Sequence, residues 1–61
     1  MQEGLIDTDL VGAIVEFGDQ KIRGFVRAVT LNNSGNVYLL IQEIEGGRIH
    51  DVVAMKCRVV D

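Results

Sequence analysis

The sequence predicts one small all-β domain, a five-stranded and strongly bent barrel. Apolar residues recur at a period close to two from Leu10 onward, which is typical of β-strands. Glycine occurs seven times and proline never, and the glycines stand where turns between strands are needed. The apolar phase slips once, at Ala28 and Val29, and a slip inside a strand indicates a bulge that bends the sheet.

The N-terminal part predicts a tail followed by a hairpin. Residues 1–9 are mostly polar, and we expect them to form a tail or one short helical turn ahead of a single domain over residues 10–61. The first strand places Ala13, Val15 and Phe17 on one face. Gly18-Asp19-Gln20 then forms the turn to the second strand, its hairpin partner.

The middle of the sequence predicts a long strand, a polar loop and the most apolar strand. The long strand carries Gly24, and a mid-strand glycine indicates close approach of another backbone. The segment Asn32–Asn36 is the strongest loop signal. Val37–Ile44 follows and is apolar on both faces, so both faces are expected to be buried. A short chain can cover only one, and we therefore assign the outward Tyr38 and Leu40 to a subunit interface.

The C-terminal third predicts two more strands. A tight turn at Glu45–Gly47 leads into Ile49–Ala54, and a short break at Met55–Cys57 leads into Arg58–Val60. Five short strands with a bend suit a closed or nearly closed barrel, which removes exposed sheet edges.

The size of the chain points to self-association. A domain of 61 residues gains no more than about 3–5 kcal/mol from its core, so such domains commonly need an additional source of stability. Cys57 and His50 are the only residues of their kinds, which excludes an internal disulfide and a cysteine- or histidine-cluster metal site. Oligomerisation remains, and we predict a homo-oligomer without cofactor or metal.

The charge and hydropathy of the chain bear on its partners and its location. The net charge of −3 and the pI near 4.9 argue against a nucleic-acid partner, although charge can be segregated onto separate faces. The first residues lack the pattern of a signal peptide, and no apolar run reaches the length of a membrane span. We therefore expect a soluble, cytoplasmic protein that does not contact a membrane.

The placement of glycine and apolar residues resembles that of Sm and Sm-like proteins. Their first motif is an apolar-x-Gly-x-apolar-x-x-apolar strand, then a loop and Asn-apolar-x-apolar, which residues 22–29 and 36–39 match. Residues 52–60 match the second motif in length and apolar placement. Asn36 is retained, whereas Thr30 stands at the family's loop aspartate and Met55-Lys56 replaces its Arg-Gly turn.

The resemblance covers residues 11–60 and implies both an assembly and a ligand. It implies a ring-shaped homo-oligomer in which the fourth strand of one subunit pairs with the fifth strand of the next. It also implies single-stranded RNA as a candidate partner, although the departures fall where Sm proteins hold uridine. The alternation around Gly24 equally fits SH3-like and chromatin-reader barrels.

Two groups of residues are candidates for binding nucleic acid or another ligand. The first combines cations with an aromatic ring on one strand face, as single-strand platforms do, and could equally be a solvated outer face. The second combines loop amides with cations near the break before the last strand. The alternative is that the amides only form the turn and that the cations are ordinary solvated charges. The groups are Lys21, Arg23, Phe25 and Arg27, and Asn33, Asn36, Lys56 and Arg58.

The sequence does not predict an enzyme. His50 and Asp51 are neighbours on a strand, so their side chains point to opposite faces. Cys57 has no evident histidine partner, and Glu43 and Glu45 lie at a strand end where solvated charge is the norm. The predicted function is a non-enzymatic, self-assembling barrel with single-stranded RNA as a candidate ligand. The alternative is a protein-, peptide- or ligand-binding module without affinity for nucleic acid.

Overall fold

A computed structural model describes residues 10–60, which form five antiparallel strands in one sheet. The sheet order is β4-β3-β2-β1-β5, so β4 and β5 are its two edges. A three-residue 3-10 turn, Ala54–Lys56, joins the last two strands. The predicted helical turn within residues 1–9 lies outside the described residues. The strands are β1 (Ile14–Phe17), β2 (Ile22–Leu31), β3 (Val37–Glu43), β4 (Ile49–Val53) and β5 (Cys57–Val59).

The prediction of an all-β fold with five strands is confirmed, and the strand boundaries shift by a few residues. The first strand begins at Ile14 rather than near Leu10, because Gly12 has a φ of 93° and the Ala13 N–H donates to the carbonyl of Leu10 in a turn. The last strand begins at Cys57, whose backbone pairs with Phe17 of β1. The sheet is open, since β4 and β5 do not pair with each other among the described residues.

The predicted hairpin between β1 and β2 is confirmed. Phe17 pairs with Ile22 across the turn. Gly18 has a φ of 79°, and the N–H of Lys21 donates to the carbonyl of Gly18 at 3.1 Å. Lys21 has a φ of 54°, which is uncommon for a residue with a side chain, and it belongs to the turn rather than to the strand.

The predicted bulge is also confirmed, and it bends β2. Val26 pairs with Ile41 and Ala28 with Leu40, so Arg27 is the extra residue of β2. The extra residue explains the slip of the apolar phase, because it puts Val26 and Val29, which are three positions apart, on the same side of the sheet. Val26 is buried and Val29 packs against the same core.

The core occupies one side of the bent sheet, here called the core face. Its buried side chains come from the first three strands, and half-buried apolar residues such as Val52 and Cys57 pack against them. Tyr38 and Leu40 point to the opposite side, the outer face, and are half-buried within this chain. The buried apolar residues are Val15, Phe17, Val26, Leu39 and Ile41.

Gly24 lies where β2 crosses closely over β3, as the mid-strand glycine predicts. A Cβ atom at this position would stand 2.5 Å from the carbonyl oxygen of Gln42 and 2.5 Å from Cγ2 of Ile41. Real Cβ atoms do not approach that closely, and one of the two obstacles is backbone. A side chain at residue 24 would therefore push the two strands apart.

We expect Gly24→Ala to destabilise the domain by about 2 kcal/mol, since overpacking costs roughly 1–3 kcal/mol. The substitution also lowers the conformational entropy of the unfolded chain, which stabilises the folded state, but only by about 0.4–1 kcal/mol. Urea unfolding followed by circular dichroism measures the difference. Thr30→Ala, at an exposed position of the same strand, is the control and should change stability by no more than about 0.5 kcal/mol. Equal stability of the two variants would contradict the expectation.

Candidate functional site

The outer face carries a cluster of charges centred on Glu16 of β1. Glu16 pairs with Arg23 on β2 and with Arg58 on β5, so the three side chains lie side by side across three strands. The Glu16 side chain is only 10% exposed, whereas those of Arg23 and Arg58 are 59% and 73% exposed. We call these three residues the charge cluster.

Each oxygen of the Glu16 carboxylate accepts a hydrogen bond from a different arginine. Arg58 Nη2 donates to Oε1 at 2.8 Å, and Arg23 Nε donates to Oε2 at 3.3 Å. The hydrogen bond from Arg58, together with that from Arg23 and the charges of both, holds the pKa of Glu16 below its ordinary value, although burial acts in the opposite direction. Glu16 is therefore a carboxylate at neutral pH, held between two cations.

The sequence contains part of the signal for this cluster. Because Phe17 pairs with Ile22 across the first turn, hairpin register alone puts Glu16 opposite Arg23. Arg58 is 42 residues from Glu16 along the chain, and only the pairing of β5 with β1 brings the two together. The sequence alone indicates no role for Glu16.

The strand residues predicted as a basic stripe are not equivalent in the structure. Arg23 belongs to the charge cluster, and Arg27, at the bulge, donates from Nη1 to Oε1 of Gln42 at 2.6 Å. Lys21 lies in the turn. Phe25 shares the outer face with Arg23, pairs with Ile14 and is 42% exposed.

The predicted polar loop is organised by Asn32. Its Oδ1 accepts hydrogen bonds from the backbone N–H groups of Ser34 at 3.0 Å and Asn36 at 2.9 Å. This is the local side-chain bonding that makes asparagine a turn residue. Asn33 and Asn36 are exposed.

Asn36 lies beside the 3-10 turn that precedes β5, in a shallow and mainly apolar groove of about 330 Å³. The 3-10 turn that borders this groove ends in Lys56, and its Ala54 and Met55 line the groove. Arg58, predicted for the same group, points to the outer face and contacts Glu16 instead. We call this surface the loop groove; its residues are Gly35, Asn36, Val37, Val53, Ala54 and Met55.

His50 contacts Glu43 and Phe17 at one end of the core face. Its Nε2 lies 2.9 Å from Oε1 of Glu43, and its ring packs edge-to-face on Phe17 with a centroid distance of 5.0 Å. Asp51 points to the other side of β4 and is exposed, as the strand alternation predicts. Neither contact of His50 is predictable from the sequence alone, since both depend on how the strands pair in the sheet.

Cys57 packs against the core, and burial raises the pKa of its thiol. Its Sγ lies 3.6 Å from the carbonyl oxygen of Val53. A raised pKa reduces the thiolate fraction at neutral pH, which lowers the reactivity of the side chain. Over residues 10–60, no three or more His, Cys, Asp and Glu side chains are grouped so that they could hold a metal ion.

Comparison with protein-family models, with curated proteins and with solved structures finds no match to this chain. Within the described part of the chain, no helix is both long and apolar enough to cross a membrane.

We expect the stabilising effect of Glu16 to depend on pH. Because its pKa in the folded protein lies below the ordinary value of 4.5, its contribution is complete above that value and is lost as the pH falls through the folded-state pKa. Urea unfolding of the wild type and of Glu16→Gln between about pH 7 and about pH 3 measures this. The wild type should be the more stable at neutral pH, and the difference should shrink on acidification.

Glu45→Gln is the matched control, because Glu45 lies exposed in the turn between β3 and β4. Its difference from the wild type should change little with pH. A Glu16→Gln difference that is equally constant with pH would show that the two arginines do not stabilise the Glu16 carboxylate.

Proposed function

We propose that this chain is a non-enzymatic, Sm-like subunit that assembles with copies of itself into a ring. In this assembly β4 of one subunit pairs with β5 of the next, and the neighbour closes the barrel that one chain leaves open. The observation that carries the proposal is the open sheet with β4 and β5 at its edges. The cytoplasmic location expected from the sequence is part of the same proposal.

The edge strands expose apolar side chains that a neighbouring strand would cover. Val59 of β5 pairs with Val15, so it faces the core side, yet it is 53% exposed because β5 is the last strand. Ile49 of β4 is 56% exposed. Burying such apolar surface stabilises a protein by about 25 cal/mol per Å². A domain of this size needs such additional stability, because its own core is small.

The two edges carry opposite charges, which favours pairing of unlike edges. Asp51 is exposed on β4, whereas Arg58 is exposed on β5 and Lys56 in the 3-10 turn just before it. Like charges at a contact between two β4 or two β5 edges would repel, so β4 meeting β5 is the favoured arrangement. A contact between two different surfaces of the same chain is heterologous and produces rings when its rotation closes. Tyr38 and Leu40, half-buried on the outer face of β3, are the further residues proposed for subunit contacts.

Light scattering tests the assembly. We expect the wild type at micromolar concentration to have a mass several times the 6.7 kDa of one chain. Val59→Lys should shift the mass to that of a monomer, because a charge that faces inward on an edge strand opposes pairing. Leu31→Lys is the control, since Leu31 is 41% exposed at the end of β2 and lies on neither edge. A wild type of 6.7 kDa that is folded by circular dichroism would overturn the proposal.

Single-stranded RNA is the ligand we propose for the loop groove. The support is the proximity of Asn36 to the 3-10 turn Ala54–Lys56, which puts amide donors and acceptors beside apolar surface, with the cation Lys56 at the end of that turn. Met55 is 86% exposed and adds apolar surface on which a base could rest. Amide groups read base edges, and a lysine attracts the backbone phosphates.

Fluorescence anisotropy with short uridine and adenine oligonucleotides at low salt tests the ligand. Binding should weaken in Asn36→Ala and Lys56→Gln, and the salt dependence should be shallower in Lys56→Gln because one phosphate contact is lost. Lys21→Gln, which removes a charge in the turn between β1 and β2, is the control. Absence of binding at high micromolar protein would favour the alternative, an interaction module for proteins, peptides or small ligands.

A further inference from the structure

The charge cluster has one more positive than negative charge. A single arginine would be enough to neutralise Glu16, yet β2 and β5 each supply one. The second arginine leaves a net charge of +1 at the cluster, although the whole chain carries −3. A localised positive site on an acidic protein would attract anions.

Most of the donor groups of the two arginines are not used. Each guanidinium has five N–H bonds, and each donates to Glu16 through one nitrogen, Nε of Arg23 and Nη2 of Arg58. Among residues 10–60 these are the only side-chain hydrogen bonds that the two arginines make. The remaining N–H groups belong to side chains that are more than half exposed.

Glu16 holds the two guanidinium groups close to each other. Both of its oxygens are occupied, and its side chain is 10% exposed, so the carboxylate is a fixed anchor in the middle of the sheet. The two arginines would otherwise repel each other and sample many rotamers. Fixing them before a ligand arrives reduces the entropy that binding would cost.

An aromatic ring lies next to the cluster. Phe25 is two residues beyond Arg23 on β2, so the two side chains share the outer face. Phe25 is 42% exposed, and its cross-strand neighbour is the half-buried Ile14. The Cα atoms of Phe25 and Arg23 are about 6–7 Å apart, the length of two strand residues, so the exposed ring can contact a flat group next to Arg23.

We propose that Arg23 and Arg58 bind the phosphoryl group of a small phosphorylated ligand whose planar ring contacts Phe25. Two guanidinium groups with several free N–H bonds match the three oxygens and double charge of a phosphomonoester better than they match a carboxylate. Arg23, Arg58 and Phe25 all belong to one subunit. Arg58 is on β5, the edge strand of the proposed assembly, but its side chain points to the outer face, and the site is separate from the loop groove.

Isothermal titration with adenosine 5′-monophosphate, inorganic phosphate and adenosine at low salt tests the site. We expect saturable binding of the nucleotide, about fivefold weaker binding of phosphate, and no saturable binding of adenosine. Arg58→Gln should weaken nucleotide binding by about fivefold or more, because it removes one of the two guanidinium groups that donate hydrogen bonds to the phosphoryl oxygens. Phe25→Leu should reduce the affinity for the nucleotide to that for phosphate.

Arg48→Gln is the matched control, since it removes an exposed arginine just before β4, at the opposite edge of the sheet from β5. It should leave nucleotide affinity within about twofold of the wild type. Equal weakening by Arg48→Gln and Arg58→Gln would overturn the site in favour of unspecific charge attraction, as would the absence of saturation in the millimolar range. Circular dichroism of each variant confirms folding. Arg58→Lys provides a second variant. It keeps the positive charge but removes the planar guanidinium group with its paired N–H donors, so it should also weaken binding.

Discussion

The fold depends on the close contact between the backbones of β2 and β3 at Gly24. The absence of a side chain there lets β2 lie against Ile41 and Gln42, and the bulge at Arg27 then bends the same strand. Together they curve a single sheet around one apolar cluster, which a flat sheet of this size could not enclose. The rest of the structure follows from this bend, because it decides which residues face the core.

The bend also leaves two features that a larger domain would hide. One sheet has two ends, and curvature alone does not pair β4 with β5, so apolar residues such as Val59 stay exposed although they face the core side. The second feature is on the outer face, where a carboxylate that is only 10% exposed needs cationic partners to be stable. Glu16 has two of these, and the same arrangement that stabilises it leaves arginine donors directed to solvent.

The candidate sites could be predicted from the sequence only where local rules decide them. The turn at Asn32–Asn36 follows from asparagine and glycine chemistry, and the opposite directions of His50 and Asp51 follow from strand alternation. The contact of Arg58 with Glu16 could not be predicted, because Arg58 is on a strand whose partner, β1, is distant in sequence. The contacts of His50 with Glu43 and Phe17 were missed for the same reason.

The sequence by itself determined the β class, the first hairpin, the bulge and the close approach at Gly24. Each of these depends on backbone preferences or on apolar alternation over a few neighbouring residues, which the sequence records directly. Tertiary structure alone decided that β5 pairs with β1, that the sheet remains open, and that Arg23 and Arg58 share one carboxylate. These three features depend on pairing between segments that are distant in the sequence. The alternation of apolar residues shows that a segment is a strand, but it does not show which other strand it pairs with.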